Sequence, residues 1–236
     1  MTLDRVISLV PSITEALASV RPDALVGATD WCTHPADLVV RRVRGTKNPD
    51  LAAIRDLAPD LVVVNREENR ELDVRRLREA GVRVHVTVIE TVPQAVEAFE
   101  ELFDDVLGWA RPEWLATARD LWCGPLPPVR RRAAIPIWRD PWMVVGARTF
   151  TGDLARRLGL ENVFADSPDR YPHVFVADIE AAGPDVVLLP DEPYVFTADD
   201  GPEAFTTPTE LVSGRLLTWY GPSLIEAHRS LSSSVE

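Results

Sequence analysis

Short apolar runs alternate with longer stretches of helical periodicity along most of the chain. The runs are rich in β-branched residues and are bounded by Pro, Gly or Asp, a pattern typical of strands that are buried on both faces of a parallel sheet. The predicted strands are residues 5–10, 24–28, 61–65, 82–86, 134–138 and 186–190. The predicted helices between them are residues 12–20, 51–57, 72–80, 92–107, 152–158 and 176–182. This alternation predicts an α/β fold with mainly parallel sheets.

The chain also repeats itself. Residues 50–65 (DLAAIRDLAPDLVVVN) align without a gap with residues 175–190 (FVADIEAAGPDVVLLP). The identical pairs are Ala52/Ala177, Ile54/Ile179, Pro59/Pro184, Asp60/Asp185 and Val62/Val187. We interpret the two copies as two Rossmann-like lobes of one architecture, with residues 1–91 as the N-terminal lobe and 133–236 as the C-terminal lobe. Residues 92–132 then form the connector, a helical stretch followed by a Pro-rich segment (GPLPPVRRR) that cannot be helical.

Charge and apolar run length exclude several classes of partner. The 37 acidic and 25 basic residues give a net charge of −12, so neither nucleic acid nor an anionic membrane surface is expected as a partner. No apolar run approaches the roughly 18 residues that a membrane-spanning helix needs. The chain starts MTLDRVISLVPS, without the basic and apolar regions of a signal peptide. We therefore predict a cytoplasmic protein, or an extracytoplasmic one if residues before Met1 have been removed.

Signatures of catalysis and of metal binding are missing from the sequence. It contains no GxSxG, Walker, GxGxxG or HExxH motif, and its four histidines have no metal-ligand spacing. Cys32 and Cys123 do not form a disulfide framework. We predict a protein that is not an enzyme, with no catalytic residue, no metal site and no required cofactor. Ser12 and Glu15 have capping-box spacing, which predicts that Ser12 caps the first helix.

Aromatic residues follow several predicted strands. Trp31 comes after strand 24–28, Trp138 and Trp142 come at and after strand 134–138, and Trp219 and Tyr220 occupy a turn near the C-terminus. Loops at the carboxyl ends of parallel strands line the ligand crevice of open α/β sheets. Flat aromatic faces at such loops suit a large planar ligand. Loop tryptophans that cover the edge of a core give the same pattern, so both interpretations stand at this point.

Polar residues accompany these aromatic ones. Asn65, Arg66 and Glu67 follow strand 61–65, and Lys47 occupies a neighbouring loop. If this segment is only the solvent-exposed start of a helix, its polar residues need no functional explanation. As part of a crevice, it offers hydrogen-bonding and charged groups to the polar side of a ligand.

Seven segments together resemble a known family. In chain order they are RVISLVPSITEAL, VGATDWCTHP, GTKNPDL, PDLVVVNREENR, IWRDPWMVVG, GLENVFADSPDRYP and PDVVLLPDEPY. They look like the cobalamin-type, class III substrate-binding proteins of ABC transporters, within the helical-backbone metal receptor superfamily. The resemblance implies two α/β lobes joined by a connecting helix. It also implies a ligand between the lobes, which is cobalamin, haem, a ferric siderophore or a bare metal according to subgroup.

The resemblance assigns roles to particular residues. Trp31 stands where cobalamin binders place an aromatic ring against the corrin, and Trp142 stands at the aromatic position of the opposite lobe. Lys47 and Asn65 replace two further aromatic residues, which implies a more polar pocket. For the haem alternative, the axial ligand would be His34 or a tyrosine, namely Tyr171, Tyr194 or Tyr220.

The resemblance also implies an ABC permease as a partner. The residues at the positions of that contact, however, differ from those of the family. Family members carry one acidic residue on each lobe that pairs with permease arginines. Those positions are Ala52 and Ala177 here, with Asp50 and Asp178 nearby.

The function predicted from the sequence is non-catalytic binding of a cobalamin-like or other metal-chelate ligand in an interlobe cleft. Trp31 and Trp142 would clamp the ligand, and Trp219 and Tyr220 would close one edge. Lys47, Asn65, Arg66 and Glu67 would reach its polar groups. The alternatives are a haem or ferric-siderophore binder, or a cytoplasmic corrinoid or tetrapyrrole sensor or enzyme that uses the same cleft.

Overall fold

The computed structural model describes residues 2–233, which divide into two compact units. The first unit comprises Met1–Ile89, Gln94–Ala118 and Tyr220–Pro222. The second comprises Glu90–Pro93, Arg119–Trp219 and Ser223–Glu236. No helix within residues 2–233 is long and apolar enough to cross a membrane.

The first unit is built on a five-stranded parallel sheet. Its strands and those of a small hairpin are β1 (Val6–Ser8), β2 (Leu25–Ala28), β3 (Arg41–Arg42), β4 (Arg44–Gly45), β5 (Asn48–Pro49), β6 (Leu61–Asn65) and β7 (Val84–Thr87). The sheet order is β3-β2-β1-β6-β7, and β4 pairs with β5 in the antiparallel hairpin. The interior strand β6, between β1 and β7, is buried along its whole length, which explains why its sequence is an apolar run.

The helices of the first half of the chain lie between and after these strands. They are α1 (Pro11–Ala18), α2 (Leu51–Asp56), α3 (Glu71–Glu79), α4 (Val92–Glu101), a π-helical segment (Leu102–Leu107) and α5 (Glu113–Trp122). One core cluster joins the sheet to α2 and α3 through Ile7, Ile54, Val62 and Leu77. Two tryptophans of this stretch, Trp109 and Trp122, are buried. The indole N–H of Trp109 donates to the Leu3 carbonyl and that of Trp122 to the Leu224 carbonyl, both at 2.9 Å.

The predicted capping box is wrong. Helix α1 begins at Pro11, so Ser12 is its second residue and is buried, and no side chain caps the helix. The physical reason is that proline fixes φ near the helical value and lacks the N–H that the first turn leaves unpaired, so it starts the helix one residue earlier. The hydroxyl of Thr14 donates to the Val10 carbonyl at 2.9 Å.

The second unit is built on a four-stranded parallel sheet. Its strands and those of a second hairpin are β8 (Arg131–Ala134), β9 (Pro136–Trp138), β10 (Met143–Val144), β11 (Leu160–Asn162), β12 (Val186–Pro190) and β13 (Thr209–Val212). The sheet order is β11-β8-β12-β13, and β9 pairs antiparallel with β10. The helices are α6 (Phe150–Arg157), α7 (Val176–Ala181), α8 (Gly214–Thr218) and α9 (Ser223–Ser233).

The single strand predicted over residues 134–138 is split in two. The chain leaves the parallel sheet after Ala134 and pairs again as β9 from Pro136, in a separate hairpin. Proline has no N–H to donate to a ladder, so it cannot continue a strand that is paired on both sides.

The aligned repeat segments adopt the same structure in both units. Helix α2 leads into β6 as α7 leads into β12, and the repeated Ile54 and Ile179 are both fully buried. The sheets of both units are parallel, so the predicted α/β class with mainly parallel sheets is confirmed.

Candidate functional site

In each unit, exposed aromatic and charged side chains gather where the parallel strands end. Ligands of open α/β sheets bind at this carboxyl edge. In the first unit the edge carries the segments after β2 and β6, together with the β4–β5 hairpin. In the second unit it carries the β9–β10 hairpin, which follows β8, and the segment after β12.

Trp31 is the exposed aromatic residue of the first unit. It follows β2, and 66% of its surface is exposed. The Arg42 guanidinium donates to the Thr29 carbonyl at 2.9 Å and to the Cys32 carbonyl at 2.8 Å, on either side of Trp31. A Cβ on Gly45 would lie 3.2 Å from the indole nitrogen, so the ring packs against a residue without a side chain. The loop that carries the exposed ring is thus firmly held.

Cys32 supports this loop from inside. Its side chain is fully buried, with Sγ 3.0 Å from the Thr14 hydroxyl oxygen. Burial raises the pKa of the Cys32 thiol above its ordinary value. A protonated, buried thiol is a packing residue rather than a reactive one.

Asn65, expected to contact ligand, is buried, with its side chain bonded inside the protein. Its Oδ1 accepts from the Glu67 backbone N–H at 2.8 Å, and its Nδ2 donates to the Thr87 hydroxyl at 3.1 Å. The side chain therefore shapes the turn that carries Arg66 and Glu67. Direct contact between Asn65 and a ligand stays a prediction.

Asn69 is the residue that sequence reasoning missed. It is buried, and its Nδ2 donates to the Leu9 carbonyl at 3.2 Å and to the Thr46 carbonyl at 3.1 Å. Its Oδ1 accepts from the Asn65 backbone N–H at 2.9 Å. One amide therefore ties together the ends of β1 and β6 and the hairpin. Its only sequence signal is its place four residues after Asn65, within a segment that is polar throughout.

Lys47 and the turn after β6 meet at the tip of the hairpin. The Lys47 ammonium donates to the Glu67 carbonyl at 2.5 Å, and both Lys47 and Arg66 are exposed. The first unit therefore brings together five of the predicted site residues, namely Trp31, Lys47, Asn65, Arg66 and Glu67.

Trp142, the expected partner of Trp31, is embedded among other side chains. Its ring stacks on Phe196 at a centroid distance of 5.7 Å and an interplanar angle of 11°, and Phe205 meets it edge-on at 5.1 Å. The Arg139 guanidinium lies over the same ring at 5.4 Å. The exposed aromatic residue of this hairpin is Trp138, which is 44% exposed and packs edge-on against Tyr194 at 5.7 Å.

Arg139, an arginine surrounded by acidic residues, supports the rings of Trp142 and Tyr194. Arg139 pairs with Asp200 and Glu203, and more distantly with Asp140. The hydrogen bond from Arg139 holds the pKa of Glu203 below its ordinary value. Tyr194 donates its hydroxyl to Asp200 at 2.7 Å, and this bond raises the pKa of Tyr194.

Trp219 and Tyr220, expected to close one edge, are both buried. Trp219 lies at the end of α8 in the second unit, where its side chain donates to the Glu192 carboxylate and Arg215 lies over its ring at 5.8 Å. Tyr220 belongs to the first unit and packs 6.3 Å from Phe99. Both side chains contribute to packing in their own units, and their contact with a ligand stays a prediction.

The residues proposed as haem ligands differ in their surroundings. His34 is half-buried, with its Nδ1 3.2 Å from the Thr33 hydroxyl, and Tyr171 is half-buried. Across residues 2–233, no group of three or more His, Cys, Asp or Glu side chains is arranged to hold a metal ion.

Ala52 and Ala177 occupy equivalent exposed positions, the second residues of α2 and α7. The neighbouring acids are engaged in holding these helices. Asp50 accepts from the Ala53 N–H at 3.0 Å, which lowers the pKa of Asp50, and Asp178 accepts from the Phe175 N–H at 2.9 Å.

Comparison with known proteins identifies relatives in both sequence and structure. No family model matches the sequence. The vitamin B12-binding protein of Salmonella typhi is 26% identical over 195 residues, which cover 78% of this chain and 71% of that protein. The periplasmic vitamin B12-binding protein BtuF of Vibrio cholerae superposes with a TM-score of 0.78 at 19% identity, covering 99% of this chain and 96% of that one.

A haem-binding protein shares the fold equally well. The periplasmic haem-binding protein from Pseudomonas aeruginosa also superposes with a TM-score of 0.78 at 19% identity, covering 99% of this chain and 92% of that one. The resemblance found in the sequence is confirmed: the chain is similar in sequence to vitamin B12-binding proteins and has the fold of periplasmic binding proteins for vitamin B12 and haem.

Proposed function

We propose that this protein binds a cobalamin-like or other metal-chelate ligand without transforming it. The proposal draws on the similarity to vitamin B12-binding proteins over 78% of the chain and on the fold shared with periplasmic vitamin B12-binding and haem-binding proteins. The relatives are named for binding, which agrees with the lack of catalytic motifs in the sequence. The interlobe position of the ligand stays a prediction.

One observation carries the proposal, namely the large exposed ring of Trp31 at the carboxyl edge of a parallel sheet. An exposed tryptophan on a loose loop would lose conformational entropy when a ligand orders it. Trp31 avoids that cost because Arg42 and Gly45 fix its loop in advance. A flat macrocycle stacked on this ring buries a large apolar area against a preorganised surface.

For the second unit, we propose Trp138 in place of Trp142 as the aromatic contact. Phe196 stacks on Trp142, and Arg139 and Phe205 also contact its ring, whereas Trp138 stays 44% exposed on a support of Tyr194. A ring that already has protein on its face has little surface left for a ligand.

Haem is the second candidate ligand, because the shared fold also belongs to a haem-binding protein. Tyrosine binds ferric haem as the phenolate. The bond from Tyr194 to Asp200 raises the pKa of Tyr194 and so opposes loss of its proton. His34 and Tyr171 are the better candidates for an axial ligand on this argument.

Location and transporter coupling belong to this proposal as well. The relatives of known structure are named periplasmic, so the cytoplasmic location predicted from the N-terminal residues receives no support from them. We propose an extracytoplasmic site of action, which fractionation of the native host tests. Coupling to an ABC permease stays a prediction, with Ala52 and Ala177 at the positions of the docking acids.

The experiment is a titration of the purified protein with cyanocobalamin, dicyanocobinamide and hemin. We expect one of these probes to quench tryptophan emission and to raise the melting temperature, because a ligand that binds only the folded state stabilises it by mass action. Trp31→Ala should weaken binding by about 1–3 kcal/mol, or roughly 5- to 150-fold.

Trp114→Phe is the matched control. Trp114 is partly buried and donates to the Ser19 hydroxyl at 2.9 Å, away from the carboxyl edge. This substitution should leave affinity unchanged. If none of the three probes binds at about 100 μM, well above a physiological Kd, the proposal is overturned. Unchanged affinity of the Trp31 variant would remove Trp31 from the site.

A further inference from the structure

We propose that Lys47 and Arg66 form a subsite for an oxyanionic substituent, a carboxylate or phosphate, on the periphery of the ligand that stacks on Trp31. This inference rests on the proposed function, which supplies the stacked ligand. It adds the chemical class of the group beside the stacked ring and predicts which metal chelates this protein prefers.

The geometry brings the two cations to the same edge as the exposed ring. Gly45 of the hairpin lies against the Trp31 indole, and Lys47 follows two residues later at the hairpin tip. The Lys47 ammonium contacts the Glu67 carbonyl, next to Arg66 in the chain. The hairpin therefore contacts both the Trp31 ring and the turn that carries Arg66.

Hydrogen bonds between side chains and the backbone hold the hairpin against the turn after β6. The Asn69 amide holds the Thr46 carbonyl, next to Lys47, and also the backbone N–H of Asn65, next to Arg66. The bond from Lys47 to the Glu67 carbonyl is a second link between the same two segments. A subsite held in this way needs little rearrangement when it binds.

The charge of Lys47 stays uncompensated by this contact. A carbonyl oxygen carries no formal charge, and an ammonium has three donors, so Lys47 keeps donors for a ligand. Residues 38–49 contain three arginines and one lysine but no acid, in a chain with a net charge of −12. Of the arginines, Arg44 lies 3.7 Å from Asp50, and Arg42 donates to the Thr29 and Cys32 carbonyls.

Two acidic residues limit the positive charge of the proposed subsite. Glu67 and Glu68 follow Arg66 and are both partly buried. They favour a single oxyanion at Lys47 and Arg66 over a highly charged one, because like charges repel at short range. This distinguishes the proposed subsite from a general anion-binding patch.

The experiment uses the full chain and pairs of probes that differ in the oxyanion. Hemin carries two carboxylates that its dimethyl ester lacks, and cyanocobalamin carries a phosphodiester that dicyanocobinamide lacks. The double variant Lys47→Gln/Arg66→Gln should lower the affinity for the oxyanion-bearing member of the bound pair roughly tenfold, the range of lost charge-assisted hydrogen bonds. It should change the affinity for the other member less than about twofold. The first pair reports a carboxylate, and the second a phosphate.

The matched control is Arg75→Gln/Arg76→Gln on exposed positions of α3, which makes the same change in net charge. It should leave both affinities within about twofold, since distant surface charges are screened by salt. Equal losses for both members of a pair, or no loss for either, would overturn the subsite while leaving the binding function intact. If no probe binds the wild-type protein, the proposed function fails and the subsite fails with it.

Discussion

The exposed tryptophans of the two units occupy similar places but are supported in different ways. Trp31 and Trp138 both lie at the carboxyl edge of a parallel sheet. The loops around Trp31 are held by side chains that bond to backbone carbonyls, chiefly from Arg42 and Asn69. Trp138 rests on the ring of Tyr194, which is held by ion pairs and hydrogen bonds around Arg139 and Asp200.

This difference has a physical consequence. A hydrogen bond from the Asn69 amide or the Arg42 guanidinium to a carbonyl involves no group that titrates in the acidic range. Ion pairs among partly exposed arginine and carboxylates weaken as pH falls or salt rises. We therefore expect the surface around Trp31 to keep its shape over a wide range of conditions, and the surface around Trp138 to depend on them.

We expect the largest effect on stability for the substitution Asn69→Leu. A small effect would contradict the comparison between the two units. The substitution removes the Asn69 partner of the buried Leu9 carbonyl, of the partly buried Thr46 carbonyl and of the Asn65 N–H. We expect a loss of about 2–4 kcal/mol in the free energy of unfolding, measured by urea denaturation of the whole protein.

Substitutions of two other asparagines serve as comparisons for Asn69→Leu. Asn162 of the second unit is buried, and its amide donates to the Val145 carbonyl at 2.9 Å and accepts from the Phe164 N–H at 3.1 Å. Asn162→Leu should cost less than Asn69→Leu because it removes fewer short bonds. Asn48→Leu, at an exposed position, should change stability by less than about 0.5 kcal/mol. Equal losses at all three positions would show that Asn69 has no special part in the first unit.

An intermediate effect is expected for Arg139→Gln, with a definite dependence on pH. Because Arg139 lowers the pKa of Glu203, their interaction stabilises the folded state above the ordinary glutamate pKa of 4.5 and is lost as pH falls through the lower folded value. The difference in melting temperature between wild type and variant should be largest near pH 7 and should close as pH falls below 4.

The control for this pH dependence is Arg75→Gln. Arg75 faces Glu79 at 3.8 Å on α3, both side chains being well exposed, and such a pair contributes little to stability. A difference for Arg139→Gln that stays constant from pH 7 to pH 2 would contradict the assigned role of Glu203 in holding Arg139.

The smallest effect is expected for Gly45→Ala. The new methyl group would lie 2.5 Å from the Asn48 side-chain oxygen, which can move, and 3.2 Å from the Trp31 indole nitrogen. We expect stability to fall by about 1 kcal/mol or less, with a shift in tryptophan emission as the Trp31 ring is displaced. Gly124→Ala, where an added Cβ meets nothing within 4 Å, should leave the emission unchanged. An unchanged spectrum for the Gly45 variant would mean that Trp31 does not depend on this contact.

The sequence by itself determined the α/β class, the parallel sheets and the repeated helix–strand unit. The reason is that strands buried on both faces must be continuously apolar, as in β6 and β12, and this requirement is visible in the chain. It also marked the loops that carry Trp31 and Arg66, because they follow predicted strands, and the neighbouring loop of Lys47. The start of α1 and the break at Pro136 were predicted wrongly, since local proline geometry outweighed the wider pattern.

Only the tertiary structure decided which members of those loops are exposed. Trp138 and Trp142 stand in one hairpin with the same residue type, yet Phe196 and Phe205 cover Trp142 from segments more than 50 positions away. Asn65 and Asn69 read as surface polar residues, but both are buried and hold backbone groups that are brought together from β1, the hairpin and β6. Burial of this kind depends on contacts between residues that are distant in the chain, and a pattern of neighbouring residues carries no record of them.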